Sequence, residues 1–285
     1  MKAEILGSLM REEKIELFSV LPIAETPVRR PELFSRAGNF CAKSVLIYAV
    51  PYYTGPAENL SLYAVSRDYH IYMRQLSKRL IAGLSAEDPG ERFLAFADHS
   101  PIDERAAAVR AGLGVFGKNG LLITKKYGTL VFLGELFSDA DPPDGFPLYP
   151  PRGCEGCDAC LFACPTGALA GKGECLSALT QKKGELTAET AALLRTCHTV
   201  WGCDLCQLAC PHTRRAIASG VQTPIAFFHE ERISRLTLPL LDAMDKETFS
   251  RRAFAWRGRQ TIRRNLLACS PEKTAPVDDK DDPSK

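Results

Sequence analysis

Nine of the eleven cysteines fall between positions 154 and 210, leaving only Cys41 and Cys269 outside. That crowding constrains the chain more than any other feature. A disulfide framework would be spread along the fold it staples, whereas thiols concentrated in one segment point to metal ligation. Cys154, Cys157, Cys160 and Cys164, followed by Pro165, spell C-x2-C-x2-C-x3-C-P. This is the bacterial run that holds two [4Fe–4S] clusters, its fourth cysteine serving the other cluster. Three thiolates two residues apart on a tight loop reach three corners of one cubane, and the fourth sits on the following turn. Pro165 stops that turn from continuing as helix. Zinc is a weak competitor, because zinc motifs pair two C-x2-C units or add histidines.

The second half of the module is less regular. Cys203-x2-Cys206-x3-Cys210-Pro211 supplies three of four expected positions, and Val200 stands where the other cysteine would be. By the crossing rule one cluster takes Cys154, Cys157, Cys160 and Cys210. The other takes Cys164, Cys203, Cys206 and a fourth ligand, for which spacing leaves Cys175 and Cys197 open. Two [4Fe–4S] clusters imply an electron-transfer protein or a redox enzyme.

The remainder is long enough for a sizeable core, with 285 residues of which 45% are hydrophobic. A formal net charge of +2 is too near balance to imply a polyanionic partner by itself. The N-terminus shows no leader pattern and no apolar run reaches membrane-spanning length, so a cytoplasmic protein with no membrane association is expected. Residues 1–40 read as helix and then a loop containing Pro22, Pro27 and Pro31. Residues 43–50 (KSVLIYAV) read as a buried strand, and 92–97 and 129–133 as further strands. Residues 66–85 form a helix pattern with Tyr69, Met73, Leu76, Leu80 and Leu84 on one face. A helix over 102–111 ends at Gly112. The first half therefore mixes helices and strands, and neither GxGxxG nor GxxxxGK[ST] is present. Five prolines between 140 and 153 mark a linker. After Pro211 the pattern returns to helix and ends in a polar tail, 277–285, expected to be disordered.

Several segments together resemble the epoxyqueuosine reductase family. They are GCEGCDACLFACPTGAL, ECLSALTQKKGEL and WGCDLCQLACPH in the cysteine module. Upstream, residues 63–70 (YAVSRDYH) are similar to YA-x-GRDYH, with Ser66 in place of the usual glycine. Residues 98–105 (DHSPIDER) are similar to D-x-x-P-x-x-E-R, 111–119 (AGLGVFGKN) to AGLGWIGKN, and 127–136 (YGTLVFLGEL) to YGSWFFLGEL. The matches run in order from about Leu46 to Pro211.

The resemblance implies an α+β fold: a nitroreductase-like, cobalamin-binding catalytic domain over 1–145, a two-cluster ferredoxin-like domain over 146–220, a helical segment over 221–270 and a tail over 271–285. It implies reduction of epoxyqueuosine to queuosine in the tRNA anticodon stem-loop by a monomer fed from an external low-potential electron donor. It favours Cys175 as the remaining cluster ligand and makes Asp98 the general acid. For such an acid, burial or a negative neighbour would have to raise its pKa. Read without the resemblance, Asp98 is a helix N-cap. Asp68 and His70 are candidates for lining the cofactor site, and Lys118 and Asn119 for meeting a phosphate or the cofactor's nucleotide tail. The alternative for Lys118 is an ordinary turn lysine. Glu135 reads as a structural acid. Residues 246–264 hold Lys246, Arg251, Arg252, Arg257, Arg259, Arg263 and Arg264 against Glu247 alone, with Phe254 and Trp256 among them. That mix suits RNA phosphates and a stacked base, or a solvated helix face with Trp256 in the core. Many relatives continue past this segment into helical repeats, so this is expected to be a short form. Other readings are a cobalamin and iron–sulfur reductase of a small molecule, similar to a reductive dehalogenase, and a plain electron carrier.

Overall fold

A computed structural model describes residues 2–35, 38 and 40–270. Residues 271–285, including the expected polar tail, lie outside the described residues. The chain is α+β. Its main sheet contains β1 (Leu17–Pro22), β2 (Ser44–Pro51), β3 (Phe93–Phe96) and β6 (Val131–Ser138). Their order is β1-β2-β6-β3, with every pair antiparallel. A two-stranded ribbon pairs β4 (Val115–Phe116) with β5 (Leu122–Ile123).

Strand β2 is buried at all its positions, which explains its unbroken apolar run. Successive side chains on a strand point to opposite faces. Leu46, Tyr48 and Val50 enter one core with Leu6 and Met10 of α1 (Ala3–Glu12) and Met73, Leu76, Leu80 and Leu84 of α3 (Tyr69–Glu87). Val45 and Ile47 enter a second core with Ala107, Ala108 and Val109 of α4 (Glu104–Arg110). The sheet is thus a middle layer, with α1 and α3 on one side and α4 on the other. A short helix, α2 (Glu32–Ser35), lies between β1 and β2.

Two elements differ from the sequence expectation. Residues 17–22 are a strand and not part of a loop. Proline is tolerated at a sheet edge, and Pro22 closes the edge strand opposite Ser44. The strand expected over 129–133 is β6, which begins at Val131 and runs on to Ser138. Gly134 is needed for close packing: a Cβ there would stand 2.4 Å from Met73 and 2.6 Å from Tyr48. Glu135 shares the β6 face of Phe137 and points toward the second core.

The cysteine module is built of short helices: α5 (Ala159–Phe162), α6 (Leu176–Gln181), α7 (Ala188–Thr196), α8 (Leu205–Ala209) and α9 (Pro211–Ala218). Helices α5 and α8, each carrying cluster-motif cysteines, pack on one another. Then come α10 (Leu238–Ala243), α11 (Lys246–Ser250) and α12 (Arg259–Cys269), with α12 against α7 and α10. The proline-rich stretch is held along the first domain rather than free, since Tyr149 N donates to Arg110 O at 2.8 Å and Cys154 N to Phe116 O at 2.8 Å.

The parts interlock. A third core joins Leu60, Ala64 and Val65 to Val200, Trp201, Leu236, Phe254, Ile262 and Leu266. In return, Ile225, Phe227 and Phe228 enter the first core. Arg252, 1% exposed, fastens this seam by donating to Val65 O and Glu231 O, both at 2.7 Å. It is a structural cation and not a surface one; Arg259, which donates to Met244 O at 2.7 Å, and Arg264, which donates to Gly184 O, are half-buried and also tied to backbone carbonyls. Among the described residues no helix is long and apolar enough to cross a membrane.

Candidate functional site

All eleven cysteines are free. The electrostatic neighbours of Cys160 include Cys154 and Cys210, the partners that the crossing rule assigns to it. Those of Cys206 include Cys203, Cys175 and Cys160, while Cys203 feels both Cys175 and Cys197. Backbone donors are aimed at several sulfurs. Lys118 N donates to Cys154 Sγ at 3.2 Å. Burial opposes ionisation of Cys164, yet the Leu169, Thr166 and Ala168 N–H groups and the Thr166 hydroxyl hold its thiol below the usual range. Amide groups directed at sulfur are what the anionic corners of an iron–sulfur cluster require. The residues present therefore fit two [4Fe–4S] clusters.

Lys118 belongs to this region. Its Nζ lies 2.6 Å from Asp158 Oδ1, in the loop between Cys157 and Cys160. Asn119 turns inward on its own loop, where its Oδ1 accepts from Leu121 N at 3.2 Å. Neither residue lines the cleft described next.

The second site is a cleft of about 550 Å3 between the sheet domain and the C-terminal helices. Its lining includes Tyr69, His70, Asp98, Phe132 and Trp256. Asp68 caps α3 by accepting from His70 N at 3.0 Å, and it also lies 2.8 Å from His70 Nδ1. The other ring nitrogen, Nε2, stands 3.8 Å from Asp98 Oδ2. The hydrogen bond to Asp68 and then the nearby carboxylate of Asp98 push the His70 pKa up to about 9, so the imidazole is a cation at neutral pH. Asp98 shows the reverse of what its sequence role required. The His70 imidazolium beside it, ahead of the opposing effect of burial, holds its carboxyl below the ordinary carboxylate range. It is also not a helix cap: Asp103 caps α4, accepting from Ala106 N at 3.2 Å. Asp98 instead occupies the left-handed region at φ 71°, with its side chain 67% exposed.

The cleft floor is aromatic. The Tyr69 ring stacks on Phe132 at 4.0 Å and 10°. The two C-terminal aromatics part company: Phe254 is fully buried, whereas Trp256 is 59% exposed on the cleft wall, with Arg257 stacked on it at 3.8 Å. Below Asp98 a smaller cavity of about 140 Å3 is lined by Tyr69, Asp98, Glu104, Arg105 and Thr129 among others. Glu104 had drawn attention only as a letter in a motif.

Residues 40–99 match the family described as epoxyqueuosine reductase QueG, DUF1730. Residues 153–213 match the 4Fe-4S double cluster binding domain. The epoxyqueuosine reductase of Gloeobacter violaceus is 36% identical over 236 residues, which cover 78% of this chain and 72% of the relative. The chain belongs to the epoxyqueuosine reductase family. That of Lactococcus garvieae is 36% identical over 214 residues, or 70% of this chain, and the match spans 58% of the relative's own length. Epoxyqueuosine reductase from Streptococcus thermophilus has a similar solved structure, with TM-score 0.75 at 27% identity, covering 94% of this chain and 81% of that one.

Proposed function

We propose that this chain reduces the epoxide of epoxyqueuosine in the tRNA anticodon to the alkene of queuosine, in a nitroreductase-like domain that binds cobalamin. Electrons would enter singly from an external low-potential donor through two [4Fe–4S] clusters. One cluster takes Cys154, Cys157, Cys160 and Cys210, and the other Cys164, Cys175, Cys203 and Cys206. When bound, cobalamin would supply a reduced cobalt centre able to attack an epoxide carbon. The cleft suits it chemically: Tyr69 stacked on Phe132 and the exposed face of Trp256 offer flat apolar surfaces to a macrocycle.

The observation that carries the reading is His70 held between Asp68 and Asp98 at the cleft. Conversion of an epoxide to an alkene consumes two electrons and two protons and releases the oxygen as water. Ring opening puts negative charge on that oxygen, and an acid must meet it. Asp98 reaches furthest into solvent, and His70 holds the proton behind it. The pair delivers that proton as one unit: the Asp98 carboxylate takes it from the imidazolium and hands it to the oxygen. Asp68 fixes the imidazole through Nδ1 so that Nε2 faces Asp98.

The test is turnover of epoxyqueuosine-containing tRNA by anaerobically reconstituted protein with and without cobalamin, read by mass spectrometry of released nucleosides. Cobalamin-dependent queuosine formation is the expected result. Failure with both clusters and cobalamin bound would reject this substrate.

A further inference from the structure

Two carboxyls below the cleft take no part in the steps above. Glu135 is fully buried in β6, opposite Ile47 of β2 and Phe96 of β3. Neither of its oxygens has a hydrogen-bond partner, and Glu104 Oε2, also buried, has none. Its polar neighbours are the Glu104 carboxyl and the Ser100 hydroxyl. Buried ionised carboxylates without donors are expensive, and two that face each other are more so. A single proton resolves both problems, because a carboxylic acid donates where a carboxylate accepts. Burial pushes Glu104 up to about 7, and burial followed by the Glu104 charge pushes Glu135 well above the carboxylate range. The other titratable groups facing the pair are Asp98, Asp103 and Arg105 around α4, while Tyr48 of β2 acts on Glu135 from the opposite face of the sheet. β3 contributes only Phe93, Leu94, Ala95 and Phe96.

The geometry points to Glu104 and Glu135 as a carboxyl pair that shares one proton at neutral pH and delivers it, through Asp98, as the second proton of each turnover. This rests on the proposed reaction, whose oxygen needs two protons to leave as water. The exposed unit supplies one, from His70 through Asp98. The pair supplies the other. Asp98 and Glu104 line the same cavity of about 140 Å3, which has room for bridging water. Afterwards the pair is reprotonated from solvent by the same route, and the electrons come from the one-electron donor through the clusters.

The experiment compares wild-type holoprotein with the E104Q/E135Q variant by infrared difference spectroscopy at pH 7. A protonated-carboxyl C=O band that shifts in D2O should be present in the wild type and lost in the variant. No such difference would overturn the shared proton. In single-turnover kinetics, the wild-type rate should fall on the alkaline side of neutrality, where the pair gives up its last proton. The variant should lose that limb and turn over about ten- to a hundredfold more slowly. An unchanged rate and pH limb would overturn the proton supply. If the wild type consumes no epoxyqueuosine, the reaction reading and the delivery role fail together, while the infrared band still decides the shared proton. Thermal unfolding of the variant at or above the wild-type midpoint would exclude misfolding as the cause.

Discussion

His70 Nε2 stands 3.8 Å from Asp98 Oδ2, and this pairing favours the charged form of both residues. The histidine is the proton holder and the aspartate the carboxylate. A titration of His70 by NMR should therefore give a pKa near 9, and Asp98→Asn should lower it by removing the second of its two carboxylate neighbours. A value near 6.5 in the wild type would contradict the arrangement. The sign for stability follows. The raised pKa stabilises the fold fully below the unfolded value near 6.5, and the contribution is lost as pH rises through about 9.

His70→Gln should leave both clusters bound and reduce turnover by about a hundredfold, because the replenishing proton is gone. Asp98 in this variant should titrate at a higher pH than in the wild type, since its main depressing partner is removed. The check is the pH–rate profile together with iron content, and parallel loss of iron would move the effect from chemistry to folding.

Iron content also separates the two candidate ligands. Cys175→Ala should lose one cluster, while Cys197→Ala should keep about eight irons per chain. The opposite pattern would reassign the second cluster. Both thiols stand close enough to Cys203 to affect it, so the measurement is needed.

Loss of the Lys118 amide should shift one cluster alone. A cluster gains negative charge on reduction, and the N–H donated to Cys154 favours that state. Lys118→Pro removes the donor and should lower that cluster's potential by a few tens of millivolts in an EPR redox titration. Lys118→Ala keeps the amide and should leave the potential near the wild-type value.

Arg252→Met should destabilise the protein by about 3 kcal/mol or more in chemical denaturation, because Val65 O and Glu231 O would lose charged donors in a buried seam. A loss below about 1 kcal/mol would mean that water replaces the guanidinium.

The cysteine module was legible because ligand spacing is itself the chemistry: the loop that reaches a cubane must carry thiols at those intervals. Strand β2 and helix α3 were equally plain, since their apolar periods match the layers they fill. Strand β1 was hidden by Pro22, which forbids a central strand but not an edge. The state of Asp98 was beyond local reading, because its partner arrives from the start of α3 and no neighbour in sequence reports it. Glu104 and Glu135 were individually visible as letters in motifs. Only the packing of α4 on β6 makes them a pair.

The seam fastened by Arg252 carries a mechanical consequence. Residues 60–65 complete the core of the C-terminal helices, and residues 225–228 complete the core of the sheet domain. Each half is thus missing a piece that only the other supplies. Neither can be excised and expected to fold, and heat should melt the electron-carrying and proton-handling halves in one transition. The two halves are therefore joined by a fixed span rather than a hinge.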